Sequence, residues 1–558
     1  MTSAHSQRAR HALRAAALWM SVATVCLSAP SPSSAPVFHP TLPRGLDFTL
    51  ENSPTALKYL IETMPGGVAL LDYNNDGLLD IFFVNGGRIA GPMQQPDDFD
   101  RHDPRYWNRL YRQNRDGSFT DVTKEAGLEN AGDGNYGMGV AVGDYDNDGY
   151  PDIYVTNFGK NILYHNNGNG TFTDVTAKAG VAGGGWSASA GFIDYDNDGK
   201  LDLFVTRYLD WNMERSKACG VAVRQYCPPG EFPPGSNILY HNRGDGTFED
   251  VSVKSGIAGK KGNGLGVAFA DYDGDGFTDI FVANDVVEQF LFHNNGDGTF
   301  TEQGLDAGVA LTADGKKLAG MGVVFQDYDN DGRPDLVVTA LPHQLQTVFH
   351  NEGHGGFADQ SLPTGLGVLS GATSGWGVGL EDFDNDGWKD LFIAQGHVMD
   401  NVEKLDSSLH YLEPPLVALN HNGRFEQADA GSTTPIAGRG AAFGDLNNDG
   451  WMDVVTARLG GHPQILVNNG GKLHWLTITL RGTHSNRDGF GARVQVNGQT
   501  RFATPVGSYL SSNDKRLHFG LGSAETATIE VFWPSGIHQT VSNVHSDRFI
   551  EIREPAEP

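Results

Sequence analysis

A nine-residue pattern, Asp-x-Asp/Asn-x-Asp-Gly-x-x-Asp, occurs seven times along this 558-residue chain. A chain built on such a repeat must fold as an array of similar units. The copies read DYNNDGLLD from Asp72, DYDNDGYPD from Asp144, DYDNDGKLD from Asp194, DYDGDGFTD from Asp271, DYDNDGRPD from Asp327, DFDNDGWKD from Asp382 and DLNNDGWMD from Asp445. Their starts are 72, 50, 77, 56, 55 and 63 residues apart. The shortest interval is close to one four-stranded propeller blade, and the longer ones imply insertions.

Each copy lies between apolar runs of strand character, such as Gly-Val-Ala-Leu-Leu before Asp72 and Ile-Phe-Phe-Val after Asp80. Two such runs around a glycine-containing loop form a β-hairpin. A second signature follows: LYHNNGNGTFTDVT from Leu163, LYHNRGDGTFEDVS from Leu239 and LFHNNGDGTFTEQ from Leu291, with weaker forms from Leu110, Val348 and Leu419. It reads as strand, Asn/Gly turn, strand. Two hairpins per repeat make one four-stranded blade, so the chain is expected to be all-β, with a seven-bladed β-propeller over residues 36–471. The outermost strand of the seventh blade is expected from the N-terminal side, from Leu46 to Leu50, which would close the ring. Residues 472–556 differ in character. Runs from Trp475 to Leu480, Arg493 to Val496 and Ala527 to Phe532 predict a small antiparallel β domain of sandwich type.

Side chains at loop positions 1, 3, 5 and 9 converge if the loop wraps a cation; position 7 adds a main-chain carbonyl, and the glycine at position 6 permits the turn. The side chains so placed are Asp72, Asn74, Asp76 and Asp80; Asp144, Asp146, Asp148 and Asp152; Asp194, Asp196, Asp198 and Asp202; Asp271, Asp273, Asp275 and Asp279; Asp327, Asp329, Asp331 and Asp335; Asp382, Asp384, Asp386 and Asp390; and Asp445, Asn447, Asp449 and Asp453. Hard oxygen donors in that number suit Ca²⁺ better than Mg²⁺, which keeps its waters, so about seven Ca²⁺ sites are expected. An EF-hand would need Glu at position 12, where this chain has Phe83, Val155, Val205, Val282, Val338, Ile393 or Thr456. Turn formation by Asp, Asn and Gly does not account for carboxylates that repel one another at fixed spacing. These positions carry 26 carboxylates against a formal net charge of −28. The acidity is therefore mostly site charge, and its sign excludes nucleic acid as a partner.

Arg8, Arg10 and Arg14 precede an apolar run from Ala15 to Leu27, and small residues with prolines follow to Pro36. This reads as a secretory signal peptide over 1–35, too short to span a bilayer. The mature chain is then secreted or periplasmic, with no transmembrane segment. Cys26 falls within the leader, behind a poor lipoprotein box. The other two cysteines, Cys219 and Cys227, are expected to form a disulfide in an exported protein. Neither has Cys or His at zinc-ligand spacing.

The seven hairpins and their NNGDGTF-type turns resemble the FG-GAP/VCBS repeats of integrin-α-like propellers. The segments NRDGFGARV from Asn486, LHFGLG from Leu517 and WPSG from Trp533 resemble the ASPIC/UnbV domain of the cartilage acidic protein family. The resemblance implies calcium on the Asp and Asn side chains named above.

Successive propeller loops alternate between two faces. The acidic hairpins share one face with the NGDG turns, and insertions over 86–108, 209–236 and 396–415 crowd the other. The inserted segments and their flanks carry Arg101, His102, Arg105, Tyr106, Trp107, Tyr208, Trp211, Arg215, Arg224, Tyr226, His397, His410 and Tyr411. Such residues form either a ligand pocket or ordinary loop packing. His165, His241, His293, His350 and His421 recur with the repeat, which marks them as structural. Two function classes follow. One is a monomeric, calcium-stabilised extracellular or envelope protein that binds or adheres to a protein, glycan or small molecule. The other is an extracytoplasmic enzyme of lyase or oxidoreductase type with its site among the insertions. The sequence holds no nucleophile elbow, His-Glu metal motif or nucleotide loop, so no catalytic residue is named.

Overall fold

The computed structural model describes residues 36, 38–89, 99–129, 134–431 and 434–556; the expected leader over 1–35 lies outside them. Each repeat forms a four-stranded antiparallel sheet. The second runs outward through Tyr136–Gly143, Asp152–Phe158, Ile162–Asn166 and Phe172–Asp174. Among the described residues there are seven such sheets, one per acidic hairpin. Their innermost strands are Val68–Leu71, Tyr136–Gly143, Ser187–Ile193, Gly264–Ala270, Val323–Gln326, Gly375–Glu381 and Gly438–Gly444. Each meets the next, and the last meets the first, so the sheets close into a β-propeller. Neighbouring blades cover both faces of these strands, which explains why they read as unbroken runs of apolar and small residues.

The ring does close through the N-terminal side, but by a different segment from the one expected. Phe38–Thr41 pairs with Gln464–Asn468, in register Phe38↔Asn468. Leu46, Phe48 and Leu50 instead pack beneath the first blade, where the Phe48 ring stacks on Phe83 at 4.5 Å. Their alternating apolar pattern buries one side against that blade, whereas Phe38–Thr41 buries only Phe38, as suits an edge strand.

Two rings of side-chain hydrogen bonds link the blades. One residue of each third strand reaches back to the main-chain carbonyl at position 2 of the preceding blade's loop. The donors are Gln113, Asn166, Asn242, Asn294, Asn351, Asn420 and Asn468, all at 2.7–2.8 Å. The Asn at loop position 4 reaches forward to the carbonyl of the next blade's position-6 glycine, at 2.9–3.0 Å in six blades. Gly274 holds this place in the fourth blade. These asparagines have positive φ, such as 59° at Asn147, a conformation Asn tolerates better than most residues. The acidic loops are therefore coupled around the ring.

The C-terminal domain has two sheets. One is Leu517–Gly522, His474–Arg481 and Arg548–Arg553; the other is Gln499–Phe502, Arg493–Val496, Thr526–Phe532 and His538–His545. The expectation of a wholly antiparallel domain fails at one place, because His474–Arg481 and Arg548–Arg553 pair in parallel. Parallel pairing needs a long crossover, and the chain between these strands, second sheet included, supplies it.

Residues 504–514 of this domain enter the propeller axis. The main-chain oxygens of Leu510, Ser512 and Ser508 accept the N–H groups of Val140, Leu70 and Val323 at 2.9, 3.1 and 3.1 Å. Tyr509 is buried with its ring 4.9 Å from Trp376, and its hydroxyl donates to Met64 O at 2.9 Å. Glycine makes the passage possible. A Cβ on Gly139 would lie 3.0 Å from Leu510 O, and one on Gly440 would lie 2.4 Å from Ser511 Oγ.

Glu554 ties the end of the domain to the turn at 483–485. Burial disfavours its charge, but the Ser535 hydroxyl and the N–H groups of Thr483, His484 and Ser485 at 2.7–2.9 Å outweigh this and take its pKa down to about 2. A carboxylate held below its ordinary value of 4.5 stabilises the fold fully above that pH and loses the contribution as pH falls towards 2. Glu554→Gln is expected to cost about 2 kcal/mol at pH 7 after solvent screening, and clearly less at pH 3. Urea unfolding followed by tryptophan fluorescence reads this; an equal loss at both pH values would contradict it.

Candidate functional site

Every acidic loop is built in the same way. In the second blade, Asp144 at position 1 accepts the N–H groups of Asp148 and Gly149 at 2.9 and 2.7 Å. Asp152 at position 9 accepts from Tyr145 N at 3.1 Å and Asn166 N at 2.8 Å. These two carboxylates shape the loop, and the more exposed position 3 and 5 side chains converge on them. One oxygen each of Asp144, Asp146 and Asp152 lies within 4.8 Å of the others. Burial drives the position-9 carboxyls up, Asp152, Asp202, Asp279 and Asp335 to about 7 and Asp80 to about 8. Asn74 and Asn447 stand at position 3 in the first and seventh loops and donate to Asp76 and Asp449 at 3.0 and 2.9 Å.

Four histidines face these loops. His165, His241, His293 and His350 place Nδ1 3.1–3.5 Å from the position 3 and position 9 carboxylates of their own blades. His421 does not belong with them. Strand register puts Leu419 at the equivalent place in the sixth blade, with Arg112 in the first and Val467 in the seventh. In the sixth blade the His-Asn pair, His421-Asn422, lies two residues further along, after the Asn420 that matches Asn166.

The C-terminal domain covers the acidic-loop face. Asn486 Nδ2 donates to Asp194 Oδ2 at 3.3 Å, Arg487 N to Asn147 Oδ1 at 2.7 Å and Arg516 Nη1 to Asn448 Oδ1 at 2.9 Å; His518 Nε2 lies 2.7 Å from Asn385 Oδ1. The loops differ in consequence. Asp382, Asp384, Asn385 and Asp390 of the sixth loop are all buried, whereas Asp146, Asp148, Asp273 and Asp275 are exposed.

On the opposite face the insertions mostly fill space. Tyr208, Trp211 and Tyr226 join Trp376, Met321 and Tyr509 in one apolar cluster at the axis. Arg101, Tyr106, Trp107 and His397 are also buried, while Arg215 and His410 are exposed. Cys219 and Cys227 are bonded, with Cα atoms 5.2 Å apart. The broad aromatic pocket is thus mainly packing, because these rings seal the mouth of the axis against water. A smaller cavity of about 280 Å³ remains, lined by Asn52, Glu62, Tyr226, Asp400, Tyr411 and Arg458. The Glu62 carboxylate accepts from Thr55 N and Oγ1 and Tyr59 N at 2.6–3.2 Å, and from the Tyr226 hydroxyl at 3.3 Å. Lys58 Nζ pairs with Asp400 at 2.7 Å and lies 5.3 Å from the Tyr226 ring centre. Arg458 Nε is buried without a hydrogen-bond partner among the described residues. Sequence reasoning found Tyr226 and Tyr411; it missed Asn52, Glu62 and Arg458, which lie in no insertion and no motif.

The FG-GAP-like repeat family matches residues 72–155, 144–205, 230–282, 271–338 and 327–393, and ASPIC and UnbV matches 482–558. Cartilage acidic protein 1 of Homo sapiens is 28% identical over 340 residues, 58% of this chain and 49% of that protein. Integrin alpha-7 of Mus musculus is 32% identical over 116 residues, 19% of this chain and 9% of that protein. The chain spans about half the length of the cartilage acidic proteins it matches. The BP39L lectin from Burkholderia pseudomallei aligns over 73% of this chain and 97% of its own at 11% identity, with a TM-score of 0.44, too low to bear on ligand. Repeat spacing, ring closure and family match agree: the chain belongs to the FG-GAP-like repeat family and carries a C-terminal ASPIC and UnbV domain.

Proposed function

We propose that this protein is an exported, calcium-stabilised binding protein, with one Ca²⁺ in each acidic loop and its ligand site in the cavity on the opposite face. The observation that carries the calcium reading is the recurrent convergence of desolvated carboxylates, as at Asp144, Asp146 and Asp152. Like charges gathered at that range raise one another's pKa, and a divalent cation with many oxygen ligands relieves the repulsion. The donor set fits: carboxylates from positions 1, 3, 5 and 9 with a carbonyl from position 7. In blades two to five the histidine at the rim serves to orient the position-9 carboxylate. Export is supported by the Arg-flanked apolar leader and by the disulfide between Cys219 and Cys227, which persists in oxidising compartments.

The cavity favours binding over catalysis. Both oxygens of Glu62 accept hydrogen bonds from Thr55, Tyr59 and Tyr226, so this acid serves to shape the wall. Tyr226, Tyr411, Asn52, Asp400 and the open Arg458 Nε offer aromatic faces and hydrogen-bonding groups suited to a hydroxyl-rich ligand such as a glycan. Equilibrium dialysis with elemental analysis is expected to find about seven calcium ions per chain, and two or fewer would refute the metal reading. On a glycan array, Tyr226→Ala and Arg458→Gln are expected to abolish signals that the parent protein gives. Signals unchanged in both variants would remove the cavity from consideration.

A further inference from the structure

A second cleft, of about 370 Å³, lies between the first two blades and the C-terminal domain, and its chemistry differs from that of the rest of the molecule. In a chain with 68 acidic and 40 basic residues, four cations converge on this one cleft: Arg481, Arg487, Lys515 and Arg516. Three have a carboxylate close by. Arg481 Nε lies 3.0 Å from Glu551, Lys515 Nζ 2.6 Å from Asp488 and Arg516 Nε 2.6 Å from Asp514. Arg487 is different. Its Nε lies 3.7 Å from Asp144 Oδ2, beyond hydrogen-bond length, and is buried without a hydrogen-bond partner among the described residues. The side chain is 36% exposed and its ion pair with Asp144 is long, so the guanidinium keeps donors for an acceptor that arrives from outside.

The remaining walls are mixed: Asp72, Asp488, Asp514 and three asparagines lie beside an apolar patch. Leu79, Val142 and Leu480 line the cleft and are buried, and Phe549 lines it while remaining 39% exposed. A volume of this size is within the range of small-molecule sites, which pair apolar walls with a few directed polar groups.

We propose that this cleft binds a small organic anion, its apolar body against Leu79, Val142, Leu480 and Phe549 and its anionic head at Arg487 beside Lys515. The site exists only where the two domains meet, since the propeller supplies Leu79 and Val142 and the C-terminal domain supplies the other four residues. It is separate from the cavity proposed above for a hydroxyl-rich ligand, and neither reading depends on the other.

The test uses the full chain with calcium present, and calorimetric titration with naphthalene-2-sulfonate as the probe. Saturable binding of one equivalent is expected, with at least about tenfold weaker binding for Arg487→Gln, as befits a charge-assisted contact. The neutral naphthalene-2-sulfonamide should bind at least about tenfold more weakly than the sulfonate for the same reason. The Arg487 side chain makes no hydrogen bond among the described residues, only the long ion pair with Asp144, so the variant should stay folded, and its melt is recorded beside the titration. Thr479→Trp, which adds bulk to the cleft wall and leaves all four cations in place, should block the probe as well. Sulfonate binding that survives both substitutions, equal binding of the neutral analogue, or no saturable binding by the parent would each overturn the proposal.

Discussion

Chelation with EDTA is expected to lower the melting temperature by more than about 10 °C. Extracellular calcium modules bind at roughly 10⁻⁴–10⁻³ M, and at tenfold saturation each site adds about 1.4 kcal/mol to stability. Seven such sites total about 10 kcal/mol, comparable with the whole net stability of a typical domain, about 5–15 kcal/mol. The loss should spread beyond the loops, because each is tied to its neighbours through contacts such as Asn166 to Tyr73 O and Asn147 to Gly199 O. It should also occur in two phases. Loops with exposed carboxylates, such as that of Asp146 and Asp148, are expected to release bound Ca²⁺ readily, and the largely buried 382–390 loop only as the C-terminal domain lifts away. Stopped-flow mixing with a fluorescent chelator separates the phases. A melt unchanged by EDTA would end the structural calcium reading, and a single fast phase would end the idea that the sixth loop is sealed.

Tyr509→Ala is expected to destabilise the protein by about 3–5 kcal/mol, the range for removing a large buried aromatic side chain. The ring packs on Trp376, and the hydroxyl answers Met64 O. Tyr509→Phe, which leaves that buried carbonyl without its donor, should cost about 1–2 kcal/mol. Removing the domain from residue 472 onward is expected to do more than either. The inner-strand N–H groups of Leu70, Val140 and Val323 would lose their acceptors, and the apolar lining of the axis would open to water. Denaturant unfolding of the full chain should therefore be a single transition. A propeller that expresses without residues 472–558 and melts where the full chain does would show that the axial segment is not structural.

Local order was legible in the sequence because its causes are local. Nine residues suffice to state an acidic loop, and a hairpin's two apolar arms lie next to it, so the seven loops and the four-strand unit are legible directly. The insertions were also placed between the right strands. Errors arose where register decides. His421 carries the same His-Asn pair as His165, yet strand pairing puts Leu419 at that place, and the ring closes through Phe38–Thr41 rather than Leu46 to Leu50. The position-4 asparagines repeat in six of seven loops and so offered a signal. What could not be read was the next blade's carbonyl that each one reaches.

By itself, then, the sequence determined the repeat, the all-β class and the seven acidic loops, since each follows from residues within one turn or one hairpin of one another. The tertiary structure alone decided that the C-terminal domain sits on the acidic-loop face, that its residues 504–514 fill the axis, and that the inserted aromatics are mostly packing. Tyr509 and Met64 are 445 residues apart, and nothing in the short polar run around Tyr509 distinguishes it from a surface loop. Its partners are main-chain groups spread over several blades, and main-chain groups leave no trace in a list of side chains.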